Sequence, residues 1–333
     1  MVTVNNKQCA KIVKIIKGME LPPDKEELTE FILKEDVLKN FYFSLVSICH
    51  QTTPINGQHF EGHIDGKLYR GWDYLREKWF IATKNNSELV YSQCLAAITY
   101  NDLVKIFSEE GCKTLLYDIE NRVRLLNNIG EVMQKNKFKS IQDIYDKSKG
   151  YLVLDDGNGI LNLLKEFKAY TDPVQKKSLY FLLLMKNHSF WAFKDENNLG
   201  PPIDYHEIRG HLRLGTVEII DDQLKEKVLN QIEINQEEDL YVRKSVYEAI
   251  MFISQETRYS ASVLHYFFWN YFRNCCNRNQ PHCFECLSSC GLPERYKILK
   301  KQLKTKKCLF FEACNSINLK EKFIEPSVWT EYY

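Results

Sequence analysis

The sequence predicts an all-α protein that carries one small β-hairpin near its N-terminus. Three observations predict it. Apolar residues recur at spacings of three and four over most of the chain, one short segment instead shows two runs joined by Asp-Gly, and no internal repeat or low-complexity linker interrupts the pattern. In KTLLYDIENRVRLLNNIGEVMQK, Leu116, Ile119, Val123, Leu126, Ile129 and Met133 line one face of an amphipathic helix. Similar patterns cover roughly residues 25–49, 73–83, 99–109, 158–168, 174–188, 205–214, 221–232, 240–255 and 258–274. The exception is HFEGHIDGKLYRGW, residues 59–72, where Asp65-Gly66 suits a tight hairpin turn because both turn positions take a left-handed backbone.

Turn-rich breaks at QTTPINGQ (51–58), at KDENNLGPP (194–202) and near Asn277 suggest how the chain is organised. We read 1–95 as a helical extension with the hairpin, 96–255 as a helical core, and 256–333 as a C-terminal helix, cysteine-rich loop and basic tail. With 44% hydrophobic and 27% charged residues the composition is that of a soluble globular protein. The longest apolar run, YFLLLM at 180–185, is too short to span a bilayer, and the N-terminus has no signal-peptide core. A cytoplasmic protein with no membrane partner is expected, with its thiols reduced.

A net charge of +1 gives no global signal for nucleic acid. The basic residues are unevenly spread, however. PERYKILKKQLKTKK, 293–307, holds seven Lys or Arg against one Glu, so Lys297, Lys300 and Lys301 are candidate phosphate contacts, or else a solvated helix face.

Five of the eleven cysteines fall in CCNRNQPHCFECLSSC, residues 275–290. An odd total argues against a disulfide framework, and the clustering argues for a metal. Cys276, Cys283, Cys286 and Cys290 are the expected ligands, since two cysteines separated by two residues can clasp one centre from a single turn. Four thiolates suit an iron–sulfur cluster or tetrahedral zinc. Cys275, His282, Cys308 and Cys314 are spare ligands, which leaves the fourth position open.

In PPIDYHEIRGHLRLG, residues 201–215, Asp204 stands before an apparent helix. It is a favoured N-cap, and it is also an acid that would stabilise positive charge developing on a substrate in a cleft. Arg209 and Arg213, four apart, share a helix face suited to phosphates or to nearby acids.

The acid and the cysteine loop together resemble the helix-hairpin-helix DNA glycosylase superfamily, in its endonuclease III branch. That family's catalytic Asp lies in V-D-T-H-x-x-R-x-x-x-R, matched here by Ile203, Asp204, Tyr205, His206, Arg209 and Arg213. Its C-terminal iron–sulfur loop is spaced C-x6-C-x2-C-x5-C; Cys276, Cys283 and Cys286 match, and Cys290 arrives two residues early. The family's glycine-bearing hairpin is replaced by AYTDPVQKKSLYFLLL, residues 169–184, where Lys177-Ser178 matches the K-[ST] step. Lys177 would then correspond to the Schiff-base lysine of the members that also cleave the strand. A second resemblance, to queuosine salvage nucleoside hydrolases, rests on FYFSLVSICHQT, YRGWDYL, AAITYNDLVKIF and Asp204-Tyr205, and sets a base-facing segment near Ser47, His50 and Gln51.

The first resemblance implies a two-lobed helical glycosylase fold, with the core at 96–255. It implies a monomeric enzyme that flips a modified base out of duplex DNA and hydrolyses its N-glycosidic bond, leaving an abasic site. Asp204 and Lys177 would be catalytic, and His50, Gln51 and Trp191 would line the base pocket. Arg209, Arg213, Lys297, Lys300 and Lys301 would hold DNA, and a 4Fe-4S cluster, or structural zinc, would staple the C-terminal loop. The N-terminal extension suggests a bulky base, such as those of modified phage DNA, and hence a role in antiviral defence. The alternatives are a queuosine-type nucleoside hydrolase and a non-catalytic nucleic-acid-binding module with structural zinc.

Overall fold

The computed structural model describes residues 1–23, 32–52, 60–109, 114–285, 291–302, 306–318 and 322–333. Among them helices predominate and strands are few and short, as the periodicity predicts. The hairpin forms where expected: Glu61–Ile64 pairs antiparallel with Lys67–Arg70, and Asp65 and Gly66 at its tip have φ of 50° and 76°. No helix of the described residues is long and apolar enough to cross a membrane.

The chain divides into two compact units whose limits differ from the three segments drawn from the sequence. The first joins Met1–Glu26 to Leu199–Trp329; the second holds Glu27–Asn198 and the last residues, Thr330–Tyr333. A second two-stranded sheet, absent from the sequence reading, ties the ends of the first unit together. Val2–Val4 pairs antiparallel with Val217–Ile219, Val2 opposite Ile219 and Val4 opposite Val217. Three-residue strands more than 200 positions apart leave almost no local signal, because their stability comes from the partner and not from propensity.

At the centre of the first unit is the helix Tyr205–Leu214, between a capping box at Asp204–Glu207 and Gly215, whose φ of 79° closes the helix in the left-handed conformation. From Glu207 to Leu214 every residue is buried, polar ones included. Gly210 lets this helix approach Ala261–Asn274, since a Cβ there would stand 2.1 Å from the Phe272 ring. Buried side chains on the helix pair with neighbours: Glu207 meets His265 at 3.0 Å, and His211 Nδ1 meets the Thr216 hydroxyl at 2.8 Å, while His211 Nε2 has no partner among the described residues.

The second unit packs around an aromatic core. Phe43 on the helix Glu35–Ser47 stacks on Tyr170 at 4.9 Å and tilts against Phe181 at 5.4 Å. Trp79 stacks on Phe107 and donates its indole N–H to the Ser44 hydroxyl at 3.0 Å. The same unit holds the C-terminus of Glu35–Ser47 and the N-termini of Ile119–Lys135 and Lys176–Asn187.

Candidate active site

Those three helix ends assemble a buried ionisable cluster. Lys177 lies in the first turn of Lys176–Asn187 and is wholly buried. Its Nζ donates to the Ser47 carbonyl and stands 3.3 Å from His50 Nδ1. His50, also wholly buried, turns its Nε2 toward Asp118 Oδ2 at 3.6 Å. Neither of these last two atoms has a hydrogen-bond partner among the described residues. Lys176 Nζ lies 3.4 Å from Cys49 Sγ.

The segment after Glu35–Ser47 is held in place by Arg122. Its buried guanidinium donates to the carbonyls of Ile48, His50 and Gln51, and its Nε to that of Tyr117 at 2.9 Å. Gln51 also donates its backbone N–H to the Tyr333 carbonyl at 3.2 Å. Three of the eight described non-glycine residues with positive φ flank the cluster: Gln51 at 45°, Asp118 at 56° and Gln175 at 60°. Such backbone costs roughly 1–3 kcal/mol per residue and concentrates at functional sites.

The electrostatics follow from this geometry. Burial, chiefly, lowers the Lys177 ammonium from 10.5 to about 7, and Lys176 and Arg122 push the same way. The positive end of its own helix opposes the charge too. Burial followed by the field of Arg122 and Lys177 holds His50 well below the usual imidazole range, so the ring is neutral at pH 7. The cluster therefore presents an amine that can shed its charge near neutrality, a neutral imidazole and a carboxylate.

In the first unit Asp204 has a different setting. Its Oδ1 accepts the backbone N–H groups of His206 at 2.8 Å and Glu207 at 3.3 Å, and its Oδ2 accepts the Trp269 indole N–H at 2.7 Å. Asp204 is 9% exposed, and the Arg273 guanidinium lies 4.9 Å over the Trp269 ring. Three donors thus occupy the carboxylate expected to face a substrate.

Other expected residues are placed as follows. Arg209 and Arg213 are 1% and 3% exposed, which corrects the expectation of phosphate contacts. Arg209 donates to the Cys276 carbonyl at 2.9 Å and to Glu325 at 2.7 Å. Arg213 donates to the carbonyls of Phe323, Cys276, Asn277 and Arg278 and stands 3.3 Å from Cys276 Sγ. Their charges clasp the cysteine loop from within. Trp191 is a core residue, stacked on Tyr145 at 4.9 Å, edge-on to Phe181, and bonded through Nε1 to Gln142. Lys297 pairs with Glu294 at 3.5 Å on the helix Glu294–Gln302. The side chains of Lys300 and Lys301 lie outside the described residues, as do Cys286 and Cys290.

Cys276 and Cys283 are both half-buried, and the Cys283 carbonyl accepts the Cys308 amide at 2.9 Å. The Tyr271 hydroxyl donates to Cys308 Sγ at 3.1 Å. Among the described residues, which leave out Cys286 and Cys290, no three His, Cys, Asp or Glu side chains are arranged to hold a metal ion.

Of the residues in and around this cluster, the sequence singled out Lys177, His50 and Gln51 but not Asp118 or Arg122. A signal was present for Arg122: it falls on the apolar stripe of its helix, three residues after Ile119 and four before Leu126, where an arginine must be buried with partners. No protein-family model matches the chain, and no curated protein matches it either.

Proposed function

We propose that the protein cleaves the N-glycosidic bond of a nucleotide unit, taken as a base flipped out of DNA, with the Lys177 amine at the centre of the chemistry. The observation that carries this reading is the Lys177–His50 contact at 3.3 Å in a site where burial brings the lysine to about 7. A neutral amine is a nucleophile, and burial with neighbouring positive charge is how a lysine becomes one near neutral pH. Its lone pair forms a bond to C1′ as the C1′–N bond breaks, the electron pair leaving with the base, which takes up a proton. Loss of a proton from nitrogen and opening of the sugar give an imine, which water hydrolyses to an abasic sugar and free Lys177. No step passes through a metal. DNA as the substrate is supported by the glycosylase resemblance and by the basic run at 293–307.

A second reading, hydrolysis of a free nucleoside, is favoured by one observation. The segment matched to the base-facing part of the queuosine salvage enzymes, with Ser47 and His50, adjoins Lys177, whereas Arg209 and Arg213 are taken up inside the protein. One experiment separates the two. The full chain is incubated with duplexes carrying thymine glycol, oxidised guanine, hydroxymethylcytosine or glucosylated hydroxymethylcytosine, and in parallel with the free nucleosides. Abasic sites in a duplex support the first reading and base release from nucleosides alone supports the second. No release from any substrate would overturn both.

A further inference from the structure

The carboxylate that serves Lys177 is one the sequence did not single out. We propose that His50 and Asp118 form a proton relay for Lys177, carrying the ammonium proton to Asp118 so that the amine becomes neutral without losing its proton to water. The inference rests on the amine-centred reading above.

The geometry orders the three groups. Lys177 Nζ stands 3.3 Å from His50 Nδ1, and His50 Nε2 stands 3.6 Å from Asp118 Oδ2. An Nδ1 that accepts from the lysine requires the ring proton on Nε2, facing the carboxylate. Transfer then runs in one direction: Nζ gives a proton to Nδ1, and Nε2 gives its proton to Oδ2. The start is an ammonium, a neutral ring and a carboxylate; the end is an amine, a neutral ring and a carboxylic acid. Net charge is zero in both, so no uncompensated charge is created in a buried site.

Asp118 is free for this task in a way that its position does not predict. It occupies the N-cap of Ile119–Lys135, yet its side chain makes no capping hydrogen bond, and its φ of 56° is left-handed. Oδ2 is buried with no hydrogen-bond partner among the described residues, as is His50 Nε2. The side chain of Asp118 is 19% exposed, although Oδ2 itself is buried, and those of His50 and Lys177 are wholly buried, so Asp118 is the one of the three that reaches toward solvent. The other groups whose charge bears on the pair are Arg122 and Arg124 from Ile119–Lys135, Lys176 from the lysine's own helix, Cys49, and Glu331 near the C-terminus. None of them lies between His50 and Asp118. His50 and Asp118 are positioning residues, since they act through the amine.

Reductive methylation with formaldehyde and cyanoborohydride tests the relay on the full chain without nucleic acid, read by mass spectrometry of the peptide containing Lys177. Formaldehyde reacts with the neutral amine alone. With the relay, the rate at pH 6 stays close to that at pH 7; without it, an amine that titrates at about 7 loses its neutral form, and the rate, about fivefold over that unit. Asp118→Asn and His50→Gln are expected to show that fivefold fall and to match the natural chain at pH 9, while Asp118→Glu restores the acid limb. Equal slowing of Asp118→Asn at every pH marks a structural role only and overturns the proposal. So does an acid limb like that of the natural chain, or a Lys177 that is not labelled at any pH. If labelling follows the predicted profile but no substrate loses its base, the relay stands and the glycosidic reading fails.

Discussion

Two aspartates occupy the start of two helices, one in each unit, and the chain uses them differently. Asp204 has an extended backbone, φ −121°, and gives its carboxylate to two helix amides and the Trp269 indole. Asp118 has a left-handed backbone, caps nothing, and leaves Oδ2 facing His50. Both sit where the helix dipole favours an anion. One spends that advantage on holding its own helix, and the other bears backbone strain to keep an oxygen uncommitted. A carboxylate engaged by three donors is stable but already satisfied, whereas an unsatisfied buried oxygen beside a titratable ring is poised to accept a proton.

The largest expected effect sharpens this contrast through the lysine. Lys177→Met removes the proposed nucleophile and should lower base release by at least about 10²-fold, as measured in the abasic-site assay. Next comes the clasp that holds His50 in place. Arg122→Met leaves several buried carbonyls without a donor, at roughly 1–3 kcal/mol each, so denaturant unfolding should show a loss of several kcal/mol.

A pH-dependent effect follows in size. The unfolded chain keeps the Lys177 proton to about its ordinary 10.5, but the folded chain keeps it only to about 7. More protons are bound in the unfolded state between those values, so stability climbs with pH through that window, and the cost of burying the charge stands in full below pH 7. The stability of Lys177→Met relative to the natural chain should therefore be highest near pH 6 and decline toward pH 10 in thermal unfolding.

The smallest effect belongs to the satisfied aspartate. Asp204→Ala should cost about 1–2 kcal/mol through loss of the cap; Asp204→Asn keeps the cap but turns an amide NH2 toward the Trp269 indole N–H, at a cost of about 1 kcal/mol. If Asp204→Asn instead eliminated base release in a fully folded protein, the roles given to the two aspartates would be reversed.

Much of the fold was legible because helices announce themselves through local periodicity, and Asp65-Gly66 named its hairpin through turn chemistry alone. The Val2–Val4 to Val217–Ile219 sheet was not legible, since its pairing is entirely non-local. The same divide separates the site residues. Asp204 was read as a possible cap from its neighbours, and the Asp204–Glu207 capping box is there. Arg209 and Arg213 share a face, as their spacing says, but spacing does not reveal that the face is inward. Lys177 and His50 were each picked out by resemblance to a family motif; their contact, 127 positions apart in the chain, is a product of tertiary packing. Asp118 was invisible for the opposite reason: a left-handed, non-capping aspartate looks in sequence like any other N-cap.

Base release from modified duplexes and from free nucleosides, compared among the natural chain, Lys177→Met and Asp204→Asn, tests the central claim most directly. The account predicts release by the natural chain and by Asp204→Asn, and none above background by Lys177→Met. Undiminished release by Lys177→Met would contradict it.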